Sequence, residues 1–306
     1  MAESGAVTVT VINSGRSFGR CSRICTIPVI MLKKDMKDCI NIMIQAAKEA
    51  GKAIIKGVDH IKIIGPDKHA LHPHTNTDLA ADAAIQRVLK PCMGPETGLL
   101  TEEQVDNVQR LDQRRVFIID PIDGTHSLIE GTQDAVVSIA LAEEGRIIAG
   151  VVFNPFKEEL WTATRGNGAF FNGRRLKVNE CNDLSKARFL MSNTENRTGR
   201  LQMFEDRIRF TVRGSIAYKC ALVAAGMAEG HFTVNPRSEW DIAAASLIME
   251  EAGGIVTDRL GRPVMFNNEN PVFKGVICVV PGLLPDLLKL LEDLKVYSSD
   301  KGIWIS

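Results

Sequence analysis

The 306-residue chain has no excess charge of either sign, with 37 basic side chains against 37 acidic ones. A chain-wide basic field for a nucleic-acid backbone is therefore absent, although a local positive pocket is compatible with that balance. Aromatic side chains are scarce: two tyrosines and three tryptophans offer little surface for stacking bases. A nucleic-acid polymer is accordingly not expected as a partner. No apolar run is long enough to span a bilayer, so no membrane segment is expected. The seven cysteines, Cys21, Cys25, Cys39, Cys92, Cys181, Cys220 and Cys278, are odd in number and form no C-x-x-C pair. That pattern speaks against a disulfide framework or a structural zinc site and suits a reducing compartment, with most thiols acting as small buried hydrophobes.

What is present is ordinary for a soluble globular protein: 45% hydrophobic and 24% charged residues, in a length that allows one large domain or two fused halves. The first thirty residues contain Arg16, Arg20 and Arg23 with Glu3 as the one acid. This composition fits an organelle transit segment, a disordered tail or an over-long start, since Met31 opens the first convincing helix. Residues 1–34 are expected to be such a tail, and residues 35–306 a single domain located in the cytoplasm.

Apolar spacing predicts a helix from Asp35 to Lys56, and Thr77 to Lys90 reads as a second helix capped at Thr77. A polar loop carrying His69, His72 and His74 separates them, without zinc-like spacing. Arg115 to Asp120 reads as a buried strand that stops at Pro121. Strands are expected at Ala135–Ala142, Ile147–Phe153 and Glu159–Thr164. Beyond them come a strand at Ala187–Ser192, a helix running to about Arg207, a strand at Arg209–Val212 and a helix at Ile216–Ala228. His231–Val234, a helix at Asp241–Ala252, Val276–Val280 and a helix at Leu283–Leu294 complete the pattern. Interleaved helices and strands imply packed layers, with an antiparallel-rich half over 35–183 and an α/β half over 184–306.

The densest acidic constellation is Asp120-Pro121-Ile122-Asp123-Gly124-Thr125. Two carboxylates sit three residues apart at the end of a hydrophobic strand. Pro121 fixes a backbone dihedral between them, and Gly124 permits unusual backbone or a close ligand approach. A helix beginning at Gly124-Thr125 would aim free N–H groups at the same spot, where an anion sits well. The bland alternative is an acidic turn after a strand. Two companions weigh against it: the paired acids Glu102-Glu103 after Leu99-Leu100-Thr101, and Asp241 beside Trp240 at a helix start.

These motifs, together with Thr75-Asn76-Thr77-Asp78 and Glu251-Ala252-Gly253-Gly254, resemble the inositol monophosphatase superfamily, in family order from Asp35 to the C-terminus. The resemblance implies a five-layered αβαβα sandwich of the inositol monophosphatase and fructose-1,6-bisphosphatase type, often a homodimer. It implies a Mg²⁺-dependent, lithium-inhibited phosphomonoesterase with two or three metals per site. Glu102, Asp120 and the Ile122 carbonyl would hold the first metal. Asp120, Asp123 and Asp241 would hold the second, and Asp78 with Glu102 would border a weaker third. Thr125 would orient an attacking water, and the Gly124 and Thr125 amides would grip the phosphate. The oxygen-rich ligand set suits a hard cation, and no activated-nucleophile pattern argues for a phosphoenzyme.

Specificity is less directly written. Inositol-specific relatives carry a glutamate seven residues before the Trp-Asp aspartate, and here that position is Val234, which cannot hydrogen-bond a polyol through its side chain. Pro236-Arg237-Ser238-Glu239-Trp240-Asp241 is instead similar to the 3′(2′),5′-bisphosphate nucleotidase branch. Ser215 and Lys219 resemble that branch's nucleotide-binding segment. Lys219 is either a partner for a second phosphate or a solvated helix residue. Arg213 and Arg237 are further candidate phosphate contacts, and His126 replaces what both branches carry after Asp-Gly-Thr. Adenosine 3′,5′-bisphosphate is the favoured substrate. The alternatives are inositol 1-phosphate, then a fructose-1,6-bisphosphatase-like sugar phosphate. A non-catalytic binder of phosphorylated ligands would be marked by a lost metal ligand, and all the expected acids are present.

Overall fold

The computed structural model describes residues 29–64, 73–199 and 201–299. Most of the expected tail, with Cys21 and Cys25, and the loop residues His69 and His72 lie outside the described residues.

The chain opens with two helices, α1 (Val29–Gly57) and α2 (Asn76–Leu89). Helix α1 thus begins at Val29 rather than Asp35, because Val29 to Lys34 contain no breaker after Pro28 and extend the same turn. Next come β1 (Thr97–Thr101), β2 (Arg115–Asp123), the short α3 (Thr125–Ile129), β3 (Val136–Glu143) and β4 (Arg146–Asn154). Then follow β5 (Glu159–Thr164), β6 (Gly168–Phe171) and β7 (Arg174–Arg175). These strands form one seven-stranded sheet in chain order, antiparallel except for the parallel β1–β2 pair.

The second half contains β8 (Arg188–Met191), α4 (Asn193–Thr198), β9 (Arg209–Val212), α5 (Ile216–Ala224) and β10 (Gly230–Thr233). After β11 (Arg237–Ser238) come α6 (Ala243–Glu251), β12 (Ile255–Asp258), β13 (Val272–Phe273), β14 (Val276–Val279) and α7 (Leu284–Ser299). A mixed five-stranded sheet runs β12-β14-β10-β8-β9, and β11 pairs with β13 separately. The helix expected to run to Arg207 is instead split. Its first turn is closed by a Ser192–Glu195 capping box, and Gly199 in the left-handed region ends it. A 3₁₀ turn at Gln202–Phe204 follows.

Alternation along β2 separates two cores. Phe117 and Ile119 face the layer of α1 and α2, whereas Val116 and Ile118 face the central layer of α5 and α6. On the far face of the second sheet, Phe189, Phe204, Phe210 and Phe232 form edge-on and tilted ring contacts. The Phe204 turn and α7 cover that face, since Asp206, Arg207, Asp286 and Lys289 border one groove. The layers therefore run helix, sheet, helix, sheet, helix, as expected. Among the described residues no helix is long and apolar enough to cross a membrane.

Candidate active site

The parallel β1–β2 register aligns Thr101 with Ile119, so Glu102 emerges beside Asp120. The Glu102 amide donates to the Ile119 carbonyl at 3.3 Å, which holds the two strand ends together. Asp120 pairs with Ser138 on β3, and Asp123 with Val136. Three steps on β2 thus oppose two on β3. Residues three apart on a regular strand face opposite sides, and this bulge turns Asp120 and Asp123 toward one cleft. Within the bend, the Ile122 amide donates to Asp120 Oδ1 at 2.9 Å. Asp241 reaches the same cleft from the turn before α6. The Ser138 hydroxyl anchors that turn by donating to the Trp240 carbonyl at 3.2 Å.

Gly124 caps α3 with φ of 103°, and a Cβ there would stand 3.0 Å from the Asp134 carbonyl and 3.2 Å from Ser215 Cβ. Only glycine fits that turn. Thr125 follows, buried, its hydroxyl 3.0 Å from Asp78 Oδ1 and 3.1 Å from the Ile122 carbonyl. Asp78 closes the capping box of α2. Its Oδ2 accepts from the Thr75 amide at 2.9 Å and from the Thr75 hydroxyl. The structure therefore sets Asp78 behind Thr125, outside the residues that line the cleft, with both oxygens engaged.

On the other side, Asp123 Oδ2 accepts from the Ser215 hydroxyl at 2.6 Å and from the Ala217 amide at 2.5 Å. Ser215 is the strained N-cap of α5, at φ of 52°, and its oxygen also accepts from the Tyr218 amide. The reading of Ser215 as a substrate contact meets a hydroxyl already committed to Asp123. Lys219 is not a solvated helix residue: it is 1% exposed. Its ammonium donates to the Ser215 carbonyl at 2.6 Å and the Arg213 carbonyl at 3.4 Å, bracing the loop that grips Asp123. Arg213 is exposed and donates to the Val212 carbonyl, away from the cleft lining. Arg237 and the exposed His126 do line it, as do Ser192, Asn193 and Thr194 at the start of α4.

The electrostatics are dominated by crowded acids. Burial, then the Asp241 charge, pushes Glu102 well above the usual carboxylate range. Burial, then Glu102 and Asp123, does the same to Asp120. Asp241 is pushed up to about 7, by burial and then by Asp123. Burial also raises Asp123, against the pull of its Ser215 hydrogen bond. Among the described residues no three acid, histidine or cysteine side chains close into a ready-made cage. The donors nevertheless fit a divalent cation such as Mg²⁺. All are carboxylate or carbonyl oxygens, and their mutual repulsion is what a bound positive charge would relieve.

A sequence profile of the inositol monophosphatase family matches residues 35–291. This chain belongs to the inositol monophosphatase family. It is 35% identical over 237 residues to the Escherichia coli protein named Nus factor SuhB, covering 74% of this chain and 87% of that one. To Inositol monophosphatase 2 of Solanum lycopersicum it is 34% identical over 242 residues, covering 74% and 89%. The solved Thermotoga maritima IMPase superposes with a TM-score of 0.75 at 27% identity, covering 85% of this chain and 99% of the other. The protein is therefore a phosphatase of a family that generally depends on Mg²⁺.

Several residues of this family member escape sequence reading. Glu239 accepts from the Asn267 and Asn268 amides at 2.6 and 2.9 Å, and Arg110 donates to Asn267 Oδ1 at 2.6 Å and to the Asn268 carbonyl at 2.8 Å. Arg110 also clasps Asp106 with two nitrogens at 2.7 and 2.9 Å. The segments bearing Asp241 and Glu102 are thereby tied together. Nearer the site, His74 pairs with Glu103 at 3.0 Å, a more ordered role than that of a loop histidine.

Proposed function

We propose that the protein hydrolyses a small, soluble phosphomonoester by direct attack of water, with Mg²⁺ held by Glu102, Asp120, the Ile122 carbonyl, Asp123 and Asp241. The observation that carries this reading is the convergence of four carboxylates on one cleft with raised proton affinity and too little positive charge to balance them. Bound Mg²⁺ supplies that charge, polarises phosphoryl oxygens and acidifies water.

The chain's own groups do the rest. First-turn N–H groups of α3 have no partner within the helix, so those of Gly124 and Thr125 can receive phosphate oxygens. The Thr125 proton is directed at Asp78 or the Ile122 carbonyl. A lone pair on Thr125 Oγ1 is then free to accept a proton from the attacking water and fix its direction. Asp78 holds that hydroxyl and takes up the proton behind it. Two or three cations per site and inhibition by Li⁺ are part of the same proposal.

The finer reading favours adenosine 3′,5′-bisphosphate, supported by Val234 where a polyol-binding acid would be needed. Inositol 1-phosphate is the second reading, favoured by the similarity to the tomato protein named Inositol monophosphatase 2. Phosphate release from both esters, each with Mg²⁺, with Mg²⁺ plus Li⁺ and with EDTA, tests the proposal. Release that EDTA stops is expected. Turnover that persists in EDTA would overturn the metal assignment, and a kcat/KM preference for inositol 1-phosphate would overturn the finer reading alone.

A further inference from the structure

We propose that Arg237 is the specificity-determining residue of the cleft and selects phosphomonoesters that carry a second anionic group. This rests on the phosphatase reading above and names its substrate class.

Two full cations line the cleft, Lys219 and Arg237. Lys219 is spent on the Ser215 and Arg213 carbonyls and braces protein, not ligand. Arg237 differs. Its Nε is buried, yet has no hydrogen-bond partner. Its charge reaches Asp123 and Asp241 and lowers the proton affinity of both, but it hydrogen-bonds to neither. A buried guanidinium N–H without an acceptor is costly and rare in a finished interior. It is accounted for when the acceptor arrives with a ligand.

The backbone that presents Arg237 is well fixed. Arg237 and Ser238 pair with Phe273 and Val272, and Glu239 accepts from Asn267 and Asn268 directly after them. The guanidinium is thus delivered by a pinned strand, as recognition of a planar anion requires. Ser192, Asn193 and Thr194, which also line the cleft, are polar and uncharged. With Lys219 spent on backbone carbonyls, discrimination by charge falls to Arg237. The expected second group is a phosphate, sulfate or carboxylate, set away from the phosphate that is cleaved.

The test compares wild type, Arg237→Gln and Arg237→Lys on adenosine 3′,5′-bisphosphate and on adenosine 3′-monophosphate. Non-hydrolysable 3′-phosphonate analogues, with and without a 5′-phosphate, are titrated calorimetrically against the same three proteins. Melting is followed alongside, because Arg237→Gln also removes the attraction of the Arg237 charge for Asp123 and Asp241 whereas Arg237→Lys keeps a positive charge. Arg237→Gln should raise KM for the bisphosphate and weaken its analogue by about 10–100-fold, the worth of a charged hydrogen bond. The monophosphate and its analogue should lose far less than the bisphosphate pair, since they share only the effect of the Arg237 charge on Asp123 and Asp241, and Arg237→Lys should recover part of the loss. Equal losses on both ligands, or none on either, would overturn the proposal. If wild type releases no phosphate but its analogues still show the Arg237-dependent difference, the phosphatase reading fails and the Arg237 assignment stands.

Discussion

The Thr125 hydroxyl lies 3.0 Å from Asp78 Oδ1, joining the first turn of α2 to the first residue of α3. Asp78 is in turn locked by Thr75, so the hydroxyl cannot rotate without breaking a buried bond. Thr125→Val keeps the shape and removes the hydroxyl. The expected outcome is a fall in kcat of about 10²-fold or more, the usual worth of a positioned proton-transfer group, with KM nearly unchanged. A variant whose kcat matches wild type would remove Thr125 from the reaction.

Asp123→Asn tests the cation site with little change in volume. Asparagine keeps the acceptor for the Ser215 hydroxyl and the Ala217 amide if its Oδ1 takes the place of Asp123 Oδ2. The fold should survive, with a melting temperature in EDTA at or above that of wild type, since a repelling charge is gone. Turnover should fall by about 10³-fold, because several kcal/mol of barrier reduction accompany a catalytic metal. Near-normal turnover in this variant would contradict the ligand set.

Much of this is legible in the sequence, for definite reasons. Asp120, Asp123 and Gly124 lie within one hexapeptide, and the helical and alternating periods of α1, α2, β3 and β4 are local signals. The β1 strand is harder, because Gly98 interrupts a five-residue run that is half-buried until Leu100. The break at Gly199 is also missed, since one glycine within a helical pattern does not say whether it is tolerated or caps. Burial of Lys219 is invisible in one dimension: only the turn at Ser215 folds the ammonium back onto carbonyls. The Arg110–Asn267–Asn268–Glu239 ties join distant segments, and no short-range pattern announces them.

The raised proton affinity of Asp241 predicts a pH-dependent stability with an unusual sign. A carboxyl whose folded pKa, about 7, exceeds its unfolded value of 3.8 binds its proton more tightly in the folded state. The metal-free protein therefore loses stability as pH rises from about 4 through about 7. Asp241→Asn should melt above wild type in EDTA at pH 8, with the gap closing toward pH 5. Added Mg²⁺ should raise the melting temperature of wild type more than that of the variant, by the mass-action gain of a ligand that binds only the folded state. A pH-independent gap between the two proteins would refute the linkage.

Gly150 on β4 predicts an effect on the site from outside it. A Cβ there would stand 2.7 Å from the Ala244 carbonyl and 3.1 Å from Ala244 Cα, in the first turn of α6 and three residues past Asp241. Backbone cannot yield as a side-chain tip can, so Gly150→Ala must push α6 off the sheet. Overpacking of this kind costs about 1–3 kcal/mol. Asp241 moves with the helix while Asp120 and Asp123 stay on β2, which spreads the carboxylates apart. The expected result is a lower melting temperature together with a higher Mg²⁺ concentration for half-maximal activity. A lower melting temperature with unchanged Mg²⁺ dependence would show that the turn at Trp240–Asp241 is held by the Ser138 hydroxyl and Glu239 independently of where α6 rests.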